Sequence, residues 1–189
     1  MPSRPPSATP PSPRDRILRV AHDLFYRDGI RATGIDRVIA ESGVAKVTFY
    51  RQFASKDDLI LAFLAHRHER WMAWFAEALA RHGGTLAAVV PTLREWFCGD
   101  GFRGCAFLNS VGELGPVLPE VLAVTRGHKA DMARAVAALM RPSAGRARTS
   151  RAIALAIDGA IVQAQFLERP DAALDALAFV MKALKPASA

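Results

Sequence analysis

The chain has 189 residues, room for one compact unit or two small helical domains, and 51% of them are apolar, so a sizeable core can be buried. It carries 25 Lys/Arg against 18 Asp/Glu, a net charge of +7, with a sequence pI near 10.1, a balance that suits a polyanionic partner. No run of 18 apolar residues is present, which excludes a spanning helix, and two cysteines are too few for a disulfide scaffold.

In chain order, MPSRPPSATPPSP holds six of the twelve prolines and lacks the apolar core of a signal peptide. It is expected to be a disordered arm over residues 1–11, stiffened toward polyproline conformation. Arg4 has the reach for a minor groove, although an inert tail is the preferred reading. Ser12-Pro13-Arg14-Asp15 has the spacing of a capping box, with proline at the first helical position. It opens a helix that turns Ile17, Ala21, Leu24 and Phe25 inward and ends near Gly29. Thr33-Gly34-Ile35-Asp36 and Ser55-Lys56-Asp57-Asp58 repeat the box. Between them, Ile35, Val38 and Ile39 share one helix face, Gly43 supplies a turn residue tolerant of positive φ, and Val44 can pack in the elbow. Phe49 and Phe53, four apart, form the inner face of the next helix. Val47 and Arg51 then lie on the opposite side, flanked by Thr48 and Tyr50, with Lys46 at the start and Lys56 just past the end. Two short helices over residues 34–53, one with a polar outer face, make a helix-turn-helix, which delivers its second helix to the DNA major groove. A methyl, a hydroxyl, a phenol and a guanidinium can contact thymine methyls, phosphates and base edges. Charge does not single this region out: residues 1–60 hold 10 Lys/Arg against 7 Asp/Glu (+3), and residues 61–189 hold 15 against 11 (+4).

Residues 11–71 resemble the N-terminal domain of TetR/AcrR transcriptional regulators. The matching pieces are A-x-x-L-F-x-x-x-G from Ala21 to Gly29, A-T at Ala32 and Thr33, I-A-x-x-G-V from Ile39 to Val44, T-F-Y-x-x-F from Thr48 to Phe53, and S-K-D-x-L from Ser55 to Leu59. The resemblance implies an all-α homodimer with an N-terminal three-helix helix-turn-helix domain and a C-terminal helical bundle for ligand binding and dimerisation. It places DNA contacts at Thr33, Lys46, Val47, Thr48, Tyr50 and Lys56, with Thr33, Tyr50 and Lys56 on phosphates; the helical spacing adds Arg51. Two departures bear on the operator sequence. Ala45 stands where the family often has Ser, and loss of that cap hydroxyl costs about 0.5–2 kcal/mol. Val47 stands where the family often has Gly or another small residue.

Beyond Leu59 the chain reads as alanine-rich helices: 55–81, 85–97 with Pro91 as a kink or first-turn residue, 105–113, 119–140, 151–167 and 172–184. Gly83-Gly84, the loop at 98–104, Gly115-Pro116, a polar connection at 142–148 and a turn at 168–171 separate them. The domains expected are therefore the DNA-binding domain at 12–71 and an effector-binding and dimerisation domain at 72–189. Arg103–Gly115, RGCAFLNSVGELG, resembles a G-C-x-x-x-N stretch found in part of the family. Trp96, Phe97, Phe102, Cys105, Phe107 and Asn109 are the candidate effector pocket, for a mostly apolar ligand with one polar group; a plain helical core is the alternative. Ala152, Ala156, Gly159, Ala160 and Gln163 form a small-residue face, read as the dimer interface through a four-helix bundle. Cys98 and Cys105 have spacing compatible with a bridge. His66, His68 and His82 lack ligand spacing for a metal, and no cofactor or metal is expected.

No catalytic constellation stands out, and the chain is expected not to be an enzyme. The function expected is a ligand-responsive, DNA-binding transcriptional regulator, a homodimeric repressor released from double-stranded operator DNA by a small effector. It would act in the cytoplasm, on the nucleoid when DNA-bound, with no membrane partner. Two alternatives remain open: a thiol-redox-responsive regulator acting through Cys105, and a helical small-molecule-binding protein or enzyme without a DNA role.

Overall fold

Nine α-helices and no strand make up residues 10–184, the part of the chain that this computed structural model describes. The expected arm and Arg4 lie outside the described residues, save for Pro10 and Pro11. The helices are α1 (Pro13–Asp28), α2 (Ile35–Ser42), α3 (Lys46–Gln52), α4 (Lys56–Arg81), α5 (Val89–Phe97), α6 (Ala106–Leu114), α7 (Glu120–Ala138), α8 (Arg146–Ala164) and α9 (Asp171–Ala183). The chain divides into two compact units, Met1–Phe63 and Leu64–Ala189, parting inside α4, where the sequence places the boundary after residue 71. No described helix is long and apolar enough to cross a membrane.

In the first unit α2 and α3 rest on α1. The apolar spacing decides this: Ile17, Ala21, Leu24 and Phe25 of α1 are buried, as are Val38, Phe49, Phe53 and Phe63. Phe25 meets Phe63 edge to face at 5.5 Å, and Phe49 lies 6.1 Å from Phe53. At two of the three boxes the N-cap hydroxyl bond forms. Ser12 Oγ accepts the Asp15 N–H at 3.2 Å, and Ser55 Oγ accepts the Asp58 N–H at 3.0 Å, each worth about 1 kcal/mol. At the third it does not. Thr33 is fully buried, its hydroxyl donates to the Gly29 carbonyl at 2.8 Å, and Gly34 caps α2 without a side chain. Burial explains the difference, because a hydroxyl in a dry site takes the nearest carbonyl. Gly43 turns the chain between α2 and α3 at φ 64°, a left-handed conformation that a Cβ would strain.

In the second unit α6 packs on α7, α7 on α8, α8 on α9, and α5 on α9. Its core includes Trp71, Phe75, Leu93, Phe107, Met132, Ile153, Ile157, Ile161, Leu174 and Leu177. Gly83 and Gly84, at φ 100° and 62°, end α4. A single 3-10 turn, Leu86–Ala88, precedes α5. Pro91 therefore sits in the first turn of α5, where its missing N–H costs nothing, and it makes no kink in a longer helix. α8 starts at Arg146, not at 151 as the spacing suggests. Arg146, Ala147 and Arg148 are good helix formers, so the helix grows back into the basic connection. Cys98 is exposed, Cys105 is buried, and both are free thiols, so the bridge that their spacing allows is not formed.

Candidate nucleic-acid interface and effector region

α3 is a two-sided helix of seven residues. Phe49 fixes its inner side at 0% exposure, while Val47 and Tyr50 stand 60% and 45% exposed. Lys46 and Arg51 are exposed beside them, and Thr48 is half-buried. An isolated apolar side chain on a surface needs no explanation, but Val47, Tyr50, Lys46 and Arg51 together make a continuous outer face. Lys46 Nζ reaches Asp36 Oδ1 at 3.3 Å, with both groups well out in solvent. Such a surface pair contributes little and leaves the ammonium available to a phosphate. Ala45 has an extended backbone, φ −68° and ψ 148°, with no side-chain cap, so α3 starts without the hydroxyl its position accommodates.

The scaffold around α3 is tied by charge. Arg37 bridges α1 and α2, reaching Asp28 Oδ2 and Glu41 Oε1 at 2.9 Å each. Arg27 beside Asp28 holds that carboxyl below the usual carboxylate range, and Arg37 adds to the effect. Arg14 lies over the Phe53 ring, 5.0 Å from its centroid. Two of the residues expected to touch phosphates are engaged inside the unit. Thr33 is fully buried, so its side chain does not reach a phosphate in this conformation. Lys56 Nζ donates to the Ile30 carbonyl at 2.7 Å and ties the start of α4 to the α1–α2 loop.

The aromatic residues expected to wall an effector pocket pack on one another. Trp96 meets Phe102 at 5.2 Å edge to face, Phe97 meets Phe102 at 5.0 Å, and Trp71 stacks on Phe75 at 4.7 Å. Phe107 stacks on His128 at 3.8 Å. Of the six expected residues, Trp96, Cys105 and Phe107 line one small cavity, of about 10 Å³, too little for an organic ligand. Phe97 and Phe102 do not line it, and Asn109 faces elsewhere. Asn109 Nδ2 donates to the Arg103 carbonyl at 3.0 Å and Asn109 Oδ1 accepts from Gln165 Nε2 at 3.2 Å, clamping the Cys98–Gly104 loop to α8's end. Gly104 is required there: its φ is 79°, and a Cβ would overlap the Gln165 carboxamide.

Beside the cavity, Lys129 Nζ lies 3.3 Å from Cys105 Sγ and 2.5 Å from Asp158 Oδ1. Burial raises the Asp158 carboxyl, and the nearby Lys129 opposes that. His128 is held neutral, its pKa pushed down to about 3 by burial, with Lys129, His68 and Arg67 adding repulsion. Its Nδ1 shares a hydrogen bond with His68 Nδ1 at 3.1 Å. No group of His, Cys and carboxylates suited to a metal occurs among the described residues.

A larger space lies elsewhere in this unit, a cleft of about 550 Å³ between α7 and α8. Sequence reasoning misses it because the alanines that create it, Ala133, Ala137, Ala147 and Ala154, read equally well as helix filler.

The small-residue face of α8 is divided. Ala160 is buried against the subunit's own core, Ala152 and Ala156 are half-buried, and only Gly159 and Gln163 are exposed. Of the five, Ala160 alone is taken up by the subunit's own core. The large exposed apolar residues of the last two helices are Leu155, Val162 and Phe166 of α8 and its end, and Phe179 and Val180 of α9, with Leu155, Phe166 and Phe179 each more than 70% exposed. Leu155, Gly159, Val162 and Phe166 recur at helical spacing along one face, a signal present in the sequence but masked by the equally apolar inner face of Ile153, Ile157 and Ile161.

Residues 17–63 match the bacterial regulatory proteins of the tetR family. A Lactococcus lactis HTH-type transcriptional regulator encoded in the lacX 3′ region is 24% identical over 106 residues, 53% of this chain and 54% of that protein. A Staphylococcus aureus HTH-type transcriptional regulator is 39% identical over 46 residues, a quarter of each chain. The chain thus spans about half or less of the curated relatives it matches. Over the whole fold, a TetR-family transcriptional regulator from Streptomyces coelicolor superposes with a TM-score of 0.78 at 29% identity, covering 91% of this chain and 93% of that one. The multidrug binding protein EbrR, crystallised with malachite green, shares the fold with a TM-score of 0.72 at 23% identity, covering 94% and 100%. The motif-bearing α1–α4 segment, the outward face of α3 and the all-helical architecture agree with these likenesses: residues 17–63 form a tetR-family helix-turn-helix domain, and the chain as a whole has the fold of TetR-family transcriptional regulators.

Proposed function

We propose that this regulator is a homodimeric repressor that reads operator DNA with α3 and leaves it when a small molecule binds the Leu64–Ala189 unit. The observation that carries the DNA reading is the face of α3, where Val47 and Tyr50 are exposed beside Lys46 and Arg51 while Phe49 anchors the opposite side. Val47 and Thr48 face base edges, and Lys46, Tyr50 and Arg51 contact phosphates or bases. Thr33 and Lys56 hold the frame of the motif through Gly29 and Ile30. Dimerisation uses the exposed apolar face of Leu155, Val162, Phe166, Phe179 and Val180, with Gly159 and Gln163 between them. Two such surfaces related by a two-fold axis form a four-helix bundle and set the spacing of two recognition helices. α4 contributes Leu59, Ile60 and Phe63 to one core and Trp71 and Phe75 to the other. An effector that displaces α4 changes that spacing and lowers operator affinity. The binding of a dye by EbrR supports ligand binding on this fold.

Selection of bound fragments from the organism's own genomic DNA tests the reading. One palindromic duplex is expected, with a steep salt dependence, and Val47→Gly is expected to relax base preference by about 1–3 kcal/mol at one or two positions per half-site. An unchanged selected profile would remove Val47 from the readout.

A second reading draws on one contact, Lys129 Nζ at 3.3 Å from the Cys105 thiol. There the signal is oxidation of Cys105, although the thiol is only 4% exposed. Mild peroxide would then release operator from the wild type and leave Cys105→Ser bound.

A further inference from the structure

We infer that the cleft between α7 and α8 binds an organic anion with an apolar body, which gives the effector of the proposed function a place and a chemical class. This inference rests on that reading for its regulatory consequence and on the cleft alone for binding. The cleft holds about 550 Å³, within the range of small-molecule sites, whereas the aromatic cluster encloses about 10 Å³. Its lining is apolar and short in part: Met132, which is buried, together with Ala133, Ala137, Ala147 and Ala154. Five short side chains, Ala130 included, leave the space that longer ones would fill.

Charge selects the occupant. Four cations line the cleft, Lys129, Arg134, Arg146 and Arg151, against one carboxylate, Asp158. Lys129 is already paired with Asp158 at 2.5 Å, and Arg134 is paired with Asp131. Arg146 and Arg151 form no ion pair among the described residues. Two guanidiniums without counter-charge beside an alanine floor favour a carboxylate, sulfonate or phosphate carried on a hydrocarbon or aromatic body. A cationic ligand would meet the same two arginines and find Asp158 occupied. Lys129 lines both the cleft and the small cavity with Cys105 and His128. An anion drawing Lys129 away from Asp158 would thus disturb the packing around Phe107, His128 and Trp71 of α4.

The test is a fluorescence titration of the full chain, without DNA, using 1-anilinonaphthalene-8-sulfonate and its uncharged counterpart N-phenyl-1-naphthylamine. The sulfonate is expected to bind at one site per chain and at least about tenfold more tightly than the neutral compound. Arg146→Ala/Arg151→Ala is expected to lose about tenfold or more in affinity with unchanged helix content, and the double Lys variant to retain most of it. Ala147→Phe, at an exposed position of the lining, is expected to block the cleft without entering the core. Equal binding of the neutral compound, or an unchanged affinity in the double Ala variant, would overturn the inference. So would a fall from dimer to monomer in the double Ala variant by sedimentation, since the cleft would then be the seat of a second copy. Operator binding is measured separately, so loss of the cleft site and loss of the DNA reading are distinguishable.

Discussion

The two units use their apolar residues differently. In the first, each helix has one apolar side, and what is left outside is functional: α3 buries Phe49 and shows Val47, Tyr50 and Arg51. In the second, α8 is apolar on both sides, with Ile153, Ile157 and Ile161 inside and Leu155, Val162 and Phe166 outside. Periodicity points at the site in the first case and only at the fold in the second, because a helix with two apolar faces does not say which of them is its own core.

Removing an inner anchor should have the largest effect. Phe49→Ala is expected to destabilise the N-terminal unit by about 3–5 kcal/mol, since a fully buried ring leaves a cavity. Chemical denaturation followed by circular dichroism would show unfolding at lower denaturant and, with it, loss of operator binding. A cost below about 1 kcal/mol would mean that α3 is not held by this ring.

Next in size is the contrast between the two sides of α8. Ala160→Arg places a charge in the subunit's own core and is expected to destabilise that unit by about 3–5 kcal/mol. Leu155→Arg/Phe166→Arg is expected to leave a folded protein of half the mass in sedimentation, because these side chains are exposed within the subunit. A dimeric double variant that still binds operator would move the dimer face off α8.

His128 gives a pH-dependent difference. Its pKa lies near 3 in the folded chain and about 6.5 when unfolded. The folded state therefore binds fewer protons between those values. Stability is full above about pH 6.5 and is lost as pH falls toward 3, by about 2 kcal/mol between pH 6.5 and 5. His128→Gln is expected to flatten the stability profile in that window. An unaltered slope would show that other groups set it.

The smallest effect expected is a gain. Ala45→Ser restores a cap hydroxyl at an extended position and should stabilise α3 by about 0.5–2 kcal/mol. No change in the thermal midpoint would indicate that the α3 N–H groups are already satisfied.

Much of the first unit is legible in the sequence, because its signals are redundant. Caps at Ser12 and Ser55, the left-handed turn at Gly43 and the spacing of Phe49 and Phe53 all enforce one register. The exception is Thr33, whose burial redirects its hydroxyl from α2 to Gly29. The second unit is legible as helices but not as sites. Trp96, Phe97 and Phe102 look like pocket walls along the chain, yet rings that can stack fill space instead of enclosing it. The α7–α8 cleft depends on alanines at positions distant in the chain, and no local pattern marks a void. Ala160, expected on the outer face, is buried and the larger Leu155 is exposed, because tertiary packing, not residue size, decides which side of α8 faces inward.

Operator affinity of α3 variants tests the outward face most directly. The measurement is the dissociation constant for the selected duplex, across a salt series, for wild type and for Val47→Gly/Tyr50→Phe/Arg51→Ala, with helix content checked in both. These three side chains are exposed, so the triple variant is expected to fold and to bind at least about a hundredfold more weakly. Its salt slope should be shallower by roughly 0.9 for each phosphate that is no longer neutralised. A folded triple variant with wild-type affinity and slope would contradict DNA reading by α3.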